Sequence, residues 1–164
     1  MIWSKAVSQM SLPFKIRRLG PENIDQIGDL NRMFGEAFMD PDTYGAVPPS
    51  DTYLANVLSA EHVVALAAFD KQQLIGGLVA YELDKLERMR REFYIYDLAV
   101  AAAHRRKGVG TLLIEHLREI ASKRDAWVIY VQADYGDDPA IHLYEKLGKR
   151  EEVLHFDIPI EHKV

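Results

Sequence analysis

Three basic residues and two glycines lie together at the expected start of a helix, directly after an apolar strand. The stretch opens with Asp97-Leu98-Ala99-Val100 and continues as Arg105-Arg106-Lys107-Gly108-Val109-Gly110-Thr111. Each glycine costs a helix about 1 kcal/mol relative to alanine, a cost usually compensated by function. Backbone N–H groups at a helix N-terminus bind anions such as pyrophosphate when no Cβ shields them. The pattern predicts a phosphate site, although such residues are also typical of a turn with a solvated face.

Other phosphate, nucleophile and metal motifs do not fit the chain. A dinucleotide fingerprint needs a third glycine where Leu113 stands, and the Gly-Lys-Ser/Thr of a P-loop does not occur. The sequence has no cysteine and no Gly-x-Ser-x-Gly elbow, so neither nucleophile is expected. Its six histidines form no i, i+4 pair, and no metal is predicted.

Carboxylates occupy two unusual places in the sequence. Asp97 interrupts an otherwise apolar strand, where an unpaired carboxylate is costly to bury, so either a functional role or pairing with Arg105 or Arg106 is expected. A second group follows a predicted central strand, at the usual ligand edge of an open α/β sheet. Its members are Asp134, Asp137 and Asp138, with Tyr135 among them and Glu151 and Glu152 further along. This group predicts a cationic ligand, although Asp138 is also the expected cap of the next helix and Tyr135 could simply pack.

Strand and helix signals alternate along the chain, which predicts a mixed α/β domain. Strands are expected over Phe14–Leu19, His62–Phe69, Leu74–Glu82, Glu92–Val100, Trp127–Ala133 and Glu152–Ile158. Helices are expected over Glu22–Phe38, in a short stretch capped by Asp51, over Gly108–Lys123, and from Asp138-Pro139 to Leu147. The strand–helix–strand order of 92–133 is typical of a parallel crossover, and the apolar Trp127–Ala133 predicts a strand buried on both faces.

Length and charge narrow the organisation and the partners. The 164 residues predict one domain over residues 14–158, with an N-terminal extension 1–13 and a tail 159–164. A net charge of −5 disfavours nucleic acid and suits a cationic small partner. Because no apolar run has the length of a membrane span, we expect a cytoplasmic protein without a membrane partner.

Two motifs in order resemble the GNAT N-acetyltransferase superfamily. Arg105-x-x-Gly108-x-Gly110 after Leu98-Ala99-Val100 is similar to its acyl-CoA signature, and Pro139–Gly148 resembles the helix after its fifth strand. Within that superfamily, Tyr94–Val100, Val128–Ala140 and Arg150–Asp157 resemble the aminoglycoside 3-N-acetyltransferases of the gentamicin-resistance type. The similarity covers roughly 14–158 and implies a mixed sheet with two splayed parallel strands flanked by helices.

The resemblance implies direct attack of an amine on the thioester of acetyl-CoA. Backbone N–H groups from Arg106 to Thr111 are then expected around the pyrophosphate, and Leu98, Ala99 and Val100 along the pantetheine arm. Tyr144 matches the position of the general acid toward the CoA sulfur, although its helical spacing also fits a packing residue. Asp97 is the expected acceptor of the amine proton. Asp134, Tyr135, Asp137, Asp138 and Glu151 are expected to contact a cationic aminoglycoside.

The implied activity is acetylation of the 3-amino group on the 2-deoxystreptamine ring of gentamicin-type aminoglycosides, which gives resistance. Two alternatives remain at the level of the sequence: acetylation of another cationic amine, on a polyamine or a protein, and a non-catalytic acyl-CoA-binding module. Related folds commonly pair, and the expected last strand offers an edge, so the sequence allows a homodimer without requiring one.

Overall fold

The structure is a computed structural model that describes residues 13–160. The chain divides into two units, one up to Gln132 and one from Ala133 onward. The first contains β1 (Phe14–Leu19), α1 (Ile24–Phe38), α2 (Asp51–Ser59), β2 (Val63–Asp70), β3 (Gln73–Asp84), β4 (Arg91–Val100), α3 (Val109–Lys123) and β5 (Ala126–Val131). The second contains α4 (Asp138–Leu147). The predicted extension 1–13 lies outside the described residues except for Pro13, and the predicted tail except for residues 159 and 160.

The first unit is built on one mixed five-stranded sheet in the order β1-β2-β3-β4-β5. Neighbouring strands from β1 to β4 are antiparallel, whereas β4 and β5 are parallel. A parallel pair needs a crossover connection, and α3 supplies it, as the strand–helix–strand order predicts. The two predicted strands His62–Phe69 and Leu74–Glu82 form a hairpin as β2 and β3, with Lys71 in the left-handed conformation at the turn (φ 55°).

Helices cover both faces of this sheet. The apolar stripe of α1, with Leu30 and Phe34 fully buried, packs on one face together with alternate residues of β2. On α3 the buried residues Val109, Leu113 and Leu117 recur at helical spacing, and α3 contacts β3, β4 and β5. Alternation along the strands divides their side chains between these two layers. β4 is therefore packed against α1 on one face and α3 on the other.

The prediction that the strand after α3 is buried on both faces is wrong. Trp127 is 64% exposed, and Val128 and Tyr130 are exposed as well. β5 is the last strand of the sheet, and an apolar run alone does not distinguish an edge strand from a central one. Its outer residues therefore remain accessible in spite of their composition.

The predicted strand Glu152–Ile158 is also wrong. Among the described residues, 149–160 form no strand, and the apolar side chains Leu154, Phe156 and Ile158 are exposed. The alternating pattern is that of a strand, but a strand needs a hydrogen-bonded neighbour, and no described strand pairs with this segment.

Two predicted helix caps are displaced by one residue. Ser50, not Asp51, caps α2, because its Oγ accepts a hydrogen bond from the N–H of Tyr53. Asp137, not Asp138, caps α4 by accepting from the N–H of Ala140. In both cases an acidic residue follows the cap and begins the helix, where its negative charge is stabilised by the positive end of the helix dipole. None of the described helices is long and apolar enough to cross a membrane.

Candidate functional site

The parallel strands β4 and β5 pair only over part of their length. The β5 register covers Arg91–Ile95 of β4, whereas β3 stays paired with β4 as far as Val100. From Tyr96 to Val100, the β5-side edge of β4 therefore has no strand partner in the described sheet. An extended ligand can bind such an edge by backbone hydrogen bonds. The predicted splay is thus present, and it leaves Leu98, Ala99 and Val100 without a strand partner on the β5 side.

The turn after β4 leads into α3 with uncovered amides. Gly108 is the N-cap residue with φ 84°, a conformation that glycine adopts without steric cost, and no side chain caps the helix. The N–H groups of Val109, Gly110 and Thr111 belong to the first turn, where a helix leaves its amides unpaired. Together with the helix dipole, these amides form an arrangement suited to a phosphate group.

The three basic residues of this turn are not equivalent. Arg105 donates from Nε to the carbonyl oxygen of Val100 at 3.1 Å, so its guanidinium ties the turn to the end of β4. Arg106 adopts a left-handed conformation (φ 60°), and both Arg106 and Lys107 are exposed. All three side chains are exposed and can reach an anion in solution, but Arg105 is also bonded to the end of β4.

Asp97 lies on the part of β4 that has no partner on its β5 side, and its carboxylate has an unexpected hydrogen-bond donor. The hydroxyl of Tyr44 donates to its Oδ1 at 2.6 Å, so the predicted alternative of pairing with Arg105 or Arg106 is wrong. Burial raises the pKa of the Asp97 carboxyl above its usual value, and the Tyr44 hydrogen bond opposes that rise. A carboxylate in this setting is a stronger base than one in water.

Tyr44 was not found by sequence reasoning. It lies in a short turn, Asp42–Ala46, between α1 and α2, and its ring packs on Phe34 and Phe38 with centroid distances of 5.9 and 5.6 Å. Burial and the nearby Asp97 carboxylate raise the pKa of the Tyr44 hydroxyl, which therefore remains a donor. The available signal was an aromatic residue inside a polar, proline-rich loop, but nothing local indicates its partner.

In the second unit, the predicted acidic residues surround the start of α4. Asp137 is occupied as the cap, and its own N–H donates to the carbonyl oxygen of Asp134 across a turn that contains Gly136 (φ 94°). Asp134 and Asp138 are exposed. Two exposed carboxylates therefore remain available to a cation at this turn.

Beyond α4, Arg150 forms ion pairs within the predicted acidic surface. Its guanidinium pairs with Glu145 at 3.5 Å and with Glu152 at 2.9 Å. The Tyr135 ring is 83% exposed, so it does not serve as a packing residue. Glu151 is exposed. Arg150 therefore neutralises part of the acidic surface that the sequence predicts here.

Tyr144 lies on α4 and is half-buried. Burial, with a smaller contribution from the charge of Asp137, raises the pKa of its hydroxyl to about 12. The group is consequently protonated throughout the neutral range and can donate a proton. Among the described side chains, no group of three or more histidines and carboxylates is arranged to hold a metal ion.

Comparison with known proteins assigns the family. Residues 29–149 match the model of the acetyltransferase (GNAT) family, and the mixed five-stranded sheet flanked by helices is the GNAT fold. The chain therefore belongs to the GNAT acetyltransferase family, whose members use acetyl-CoA.

One similar sequence is a probable N-acetyltransferase, san, of Drosophila melanogaster. It is 30% identical over 129 residues, which cover 78% of this chain and 63% of the relative. The chain thus spans less than two thirds of that protein.

Two solved structures are similar over nearly all of their length. An aminoglycoside acetyltransferase from an uncultured soil metagenomic sample is 49% identical, with a TM-score of 0.89 over 90% of this chain and 99% of that one. A second aminoglycoside acetyltransferase from such a sample, in complex with sisomicin, is 27% identical, with a TM-score of 0.84 over 90% of this chain and 97% of that one.

Proposed function

We propose that this protein acetylates an amine of an aminoglycoside, at the 3-amino group of its 2-deoxystreptamine ring, with acetyl-CoA as donor. The unpaired edge of β4, which leads from Asp97 to the uncovered amides of α3, is the observation that carries the proposal. Along this edge, the helix amides suit the pyrophosphate of acetyl-CoA, the β4 backbone suits its extended pantetheine arm, and Asp97 suits the reacting amine. Acetylation of this kind would give resistance to such antibiotics.

The residues present fit acetyl-CoA. Val109, Gly110 and Thr111 offer amides to the pyrophosphate, with Arg106 and Lys107 beside them. Leu98 and Ala99 lie on the unpaired β4 edge, which suits the amide-bearing pantetheine arm. When bound, acetyl-CoA supplies an acetyl thioester that an amine can attack. The residues of this chain then align the reactants and move two protons.

Each proton has a candidate group. Asp97 accepts the proton that the attacking nitrogen loses, directly or through water, and its raised pKa makes it a better acceptor than an ordinary aspartate. Tyr144 gives a proton to the departing sulfur, a role that its pKa of about 12 allows at neutral pH. No acyl-enzyme is required, in keeping with a chain that has no cysteine.

The substrate class is supported by charge and by similarity. Asp134 and Asp138 are exposed carboxylates that attract ammonium groups, and the net charge of −5 acts in the same direction. Both solved structures described above are aminoglycoside acetyltransferases, one of them with sisomicin bound. The choice of the 3-amino group is supported by the segments Tyr94–Val100 and Val128–Ala140, whose sequences resemble those of aminoglycoside 3-N-acetyltransferases.

The test is thiol release from acetyl-CoA with gentamicin, spermidine or a peptide with a free N-terminus as acceptor, followed by NMR of the product. We expect turnover with gentamicin and a new acetamide on the 3-nitrogen of 2-deoxystreptamine. Acetylation at another nitrogen would contradict the proposed 3-amino position and leave the aminoglycoside substrate class unchanged.

Turnover with the peptide alone would favour the second candidate, a protein N-acetyltransferase. The similarity to the Drosophila N-acetyltransferase is the observation in its favour. Turnover with spermidine alone would indicate a polyamine substrate. Binding of acetyl-CoA without transfer to any amine would instead indicate a non-catalytic module.

A further inference from the structure

Three tyrosines form a straight row across the sheet. In the strand register, Tyr81 of β3 lies opposite Tyr94 of β4, and Tyr94 lies opposite Tyr130 of β5. Directly paired residues of neighbouring strands project from the same face of a sheet. The three side chains therefore stand next to one another on one face.

A fourth tyrosine joins the row through a bulge. The β3–β4 register steps from Val79↔Asp97 to Ala80↔Ile95, which leaves Tyr96 without an opposite residue. Its ring meets those of Tyr81 and Tyr94 edge-on, with centroid distances of 6.0 and 5.9 Å. We call these four residues the tyrosine row: Tyr81, Tyr94, Tyr96 and Tyr130.

The rings of the row support one another. Those of Tyr94 and Tyr130 are stacked at 5.0 Å with an interplanar angle of 23°, and the Tyr94 hydroxyl donates to Oε1 of Gln132 at 2.8 Å. Mutual contacts of this kind hold the rings in fixed orientations. The row is accordingly a pre-formed surface rather than a set of mobile side chains.

The row does not serve the hydrophobic core. Tyr96 is 64% exposed and Tyr130 is 40% exposed, while Phe93 and Ile95, which alternate with the tyrosines on β4, are buried. Exposed aromatic rings that lie together on one surface are typical of a binding site. Burial in the core therefore does not account for the two exposed rings, Tyr96 and Tyr130.

The chemistry of the neighbours defines the ligand. Asp97 follows Tyr96 directly on β4. Burial raises the pKa of the Tyr81 and Tyr94 hydroxyls, and the Asp97 charge makes a smaller contribution in the same direction. Aromatic faces attract cations, and phenol oxygens accept hydrogen bonds from ammonium and hydroxyl groups. A carboxylate beside aromatic rings is complementary to a ring that carries both an apolar C–H face and ammonium groups.

We infer that the tyrosine row is a binding platform for an amino-substituted sugar or cyclitol ring, which it holds beside Asp97. The inference rests on the proposed function and adds a substrate site that the acidic residues 134–138 do not include. The aromatic faces of the platform contact the flat face of a ring, and Asp97 interacts with its positive charge. A flexible polyamine, which has no ring face, therefore gains little from it.

Calorimetric titration with gentamicin and with spermidine tests the platform without requiring turnover. In Tyr96→Ala and Tyr130→Ala, which remove exposed rings, we expect gentamicin affinity to fall about tenfold and spermidine affinity to change less than about twofold. Tyr130→Phe keeps the ring and should retain most of the affinity. Trp127→Ala is the matched control, because Trp127 is an aromatic residue of β5 as exposed as Tyr96 but outside the row. Its ring contacts the guanidinium of Arg90, whose Cζ lies 3.7 Å from the ring centroid.

Unchanged gentamicin affinity in both alanine variants would overturn the platform, and so would an equal loss for gentamicin and spermidine. Absence of gentamicin binding to the unmodified protein would overturn both the platform and the proposed function. Binding that depends on the row, without acetylation of gentamicin, would overturn the proposed function and leave the platform standing.

Discussion

The hydroxyl of Tyr44 donates to Oδ1 of Asp97 at 2.6 Å, and this bond joins the turn between α1 and α2 to the unpaired end of β4. The two residues are 53 positions apart in the sequence. Because Tyr44 also packs on Phe34 and Phe38, the core of the first unit fixes the direction of the Asp97 carboxylate. Tyr44 is therefore a positioning residue for the proposed proton acceptor.

Tyr44→Phe should move the acidic limb of the pH profile of kcat/KM upward. The substitution keeps the ring but removes the donor that lowers the pKa of Asp97, so the carboxyl protonates at a higher pH. A lost hydrogen bond to a charged group corresponds to about one pH unit. Tyr53→Phe, which removes a hydroxyl from an exposed tyrosine on α2, is the control. An unaltered acidic limb would show that Asp97 is not the titrating base.

Gly110→Asp should weaken acetyl-CoA binding by at least about tenfold, since a carboxylate would stand among the amides proposed to hold the pyrophosphate. Isothermal titration of acetyl-CoA measures the effect. Gly28→Asp makes the same change on α1, where an added side chain meets open space, and should leave the affinity unaltered. Equal affinities of the two variants would place the cofactor elsewhere.

Tyr144→Phe should lower kcat by about a hundredfold, the usual contribution of a general acid, and leave the affinity for acetyl-CoA unchanged. Since the pKa of Tyr144 is about 12, the unmodified enzyme keeps this proton throughout pH 6–10. Any loss of activity within that range must then come from another group. Steady-state kinetics over that range provide the measurement, and an undiminished kcat would remove Tyr144 from the chemistry.

Gly77→Ala should destabilise the fold by about 1–3 kcal/mol, the range for overpacking a close-packed core. A Cβ at this position of β3 would lie 3.2 Å from the carbonyl oxygen of Leu66 and in severe overlap with the side chain of Leu30, which is buried and cannot swing away. Gly28→Ala on α1 has open space and should stabilise by about 0.5–1 kcal/mol. Urea denaturation distinguishes the two, and a Gly77→Ala variant as stable as the parent would contradict the packing of α1 on β3.

Sequence reasoning located most elements because their signals are local. The stripe of α3, the hairpin after β2 and the crossover from β4 to β5 all follow from periodicity and turn residues. The errors fall where the outcome depends on neighbours distant in sequence. The pattern of 152–158 is that of a strand, yet no described strand accepts it, and the apolar β5 is exposed because it ends the sheet.

The amino-acid order by itself contains the two motifs that resemble the GNAT family, the glycines at the start of α3 and the unusual placement of Asp97 on an apolar strand, since each is a property of a short segment. Only the tertiary structure decided that Tyr44, rather than an arginine, is the partner of Asp97 and that four tyrosines from three strands form one surface. Both depend on loop path, strand register and a bulge, which are set by the packing of the whole sheet and have no local signature.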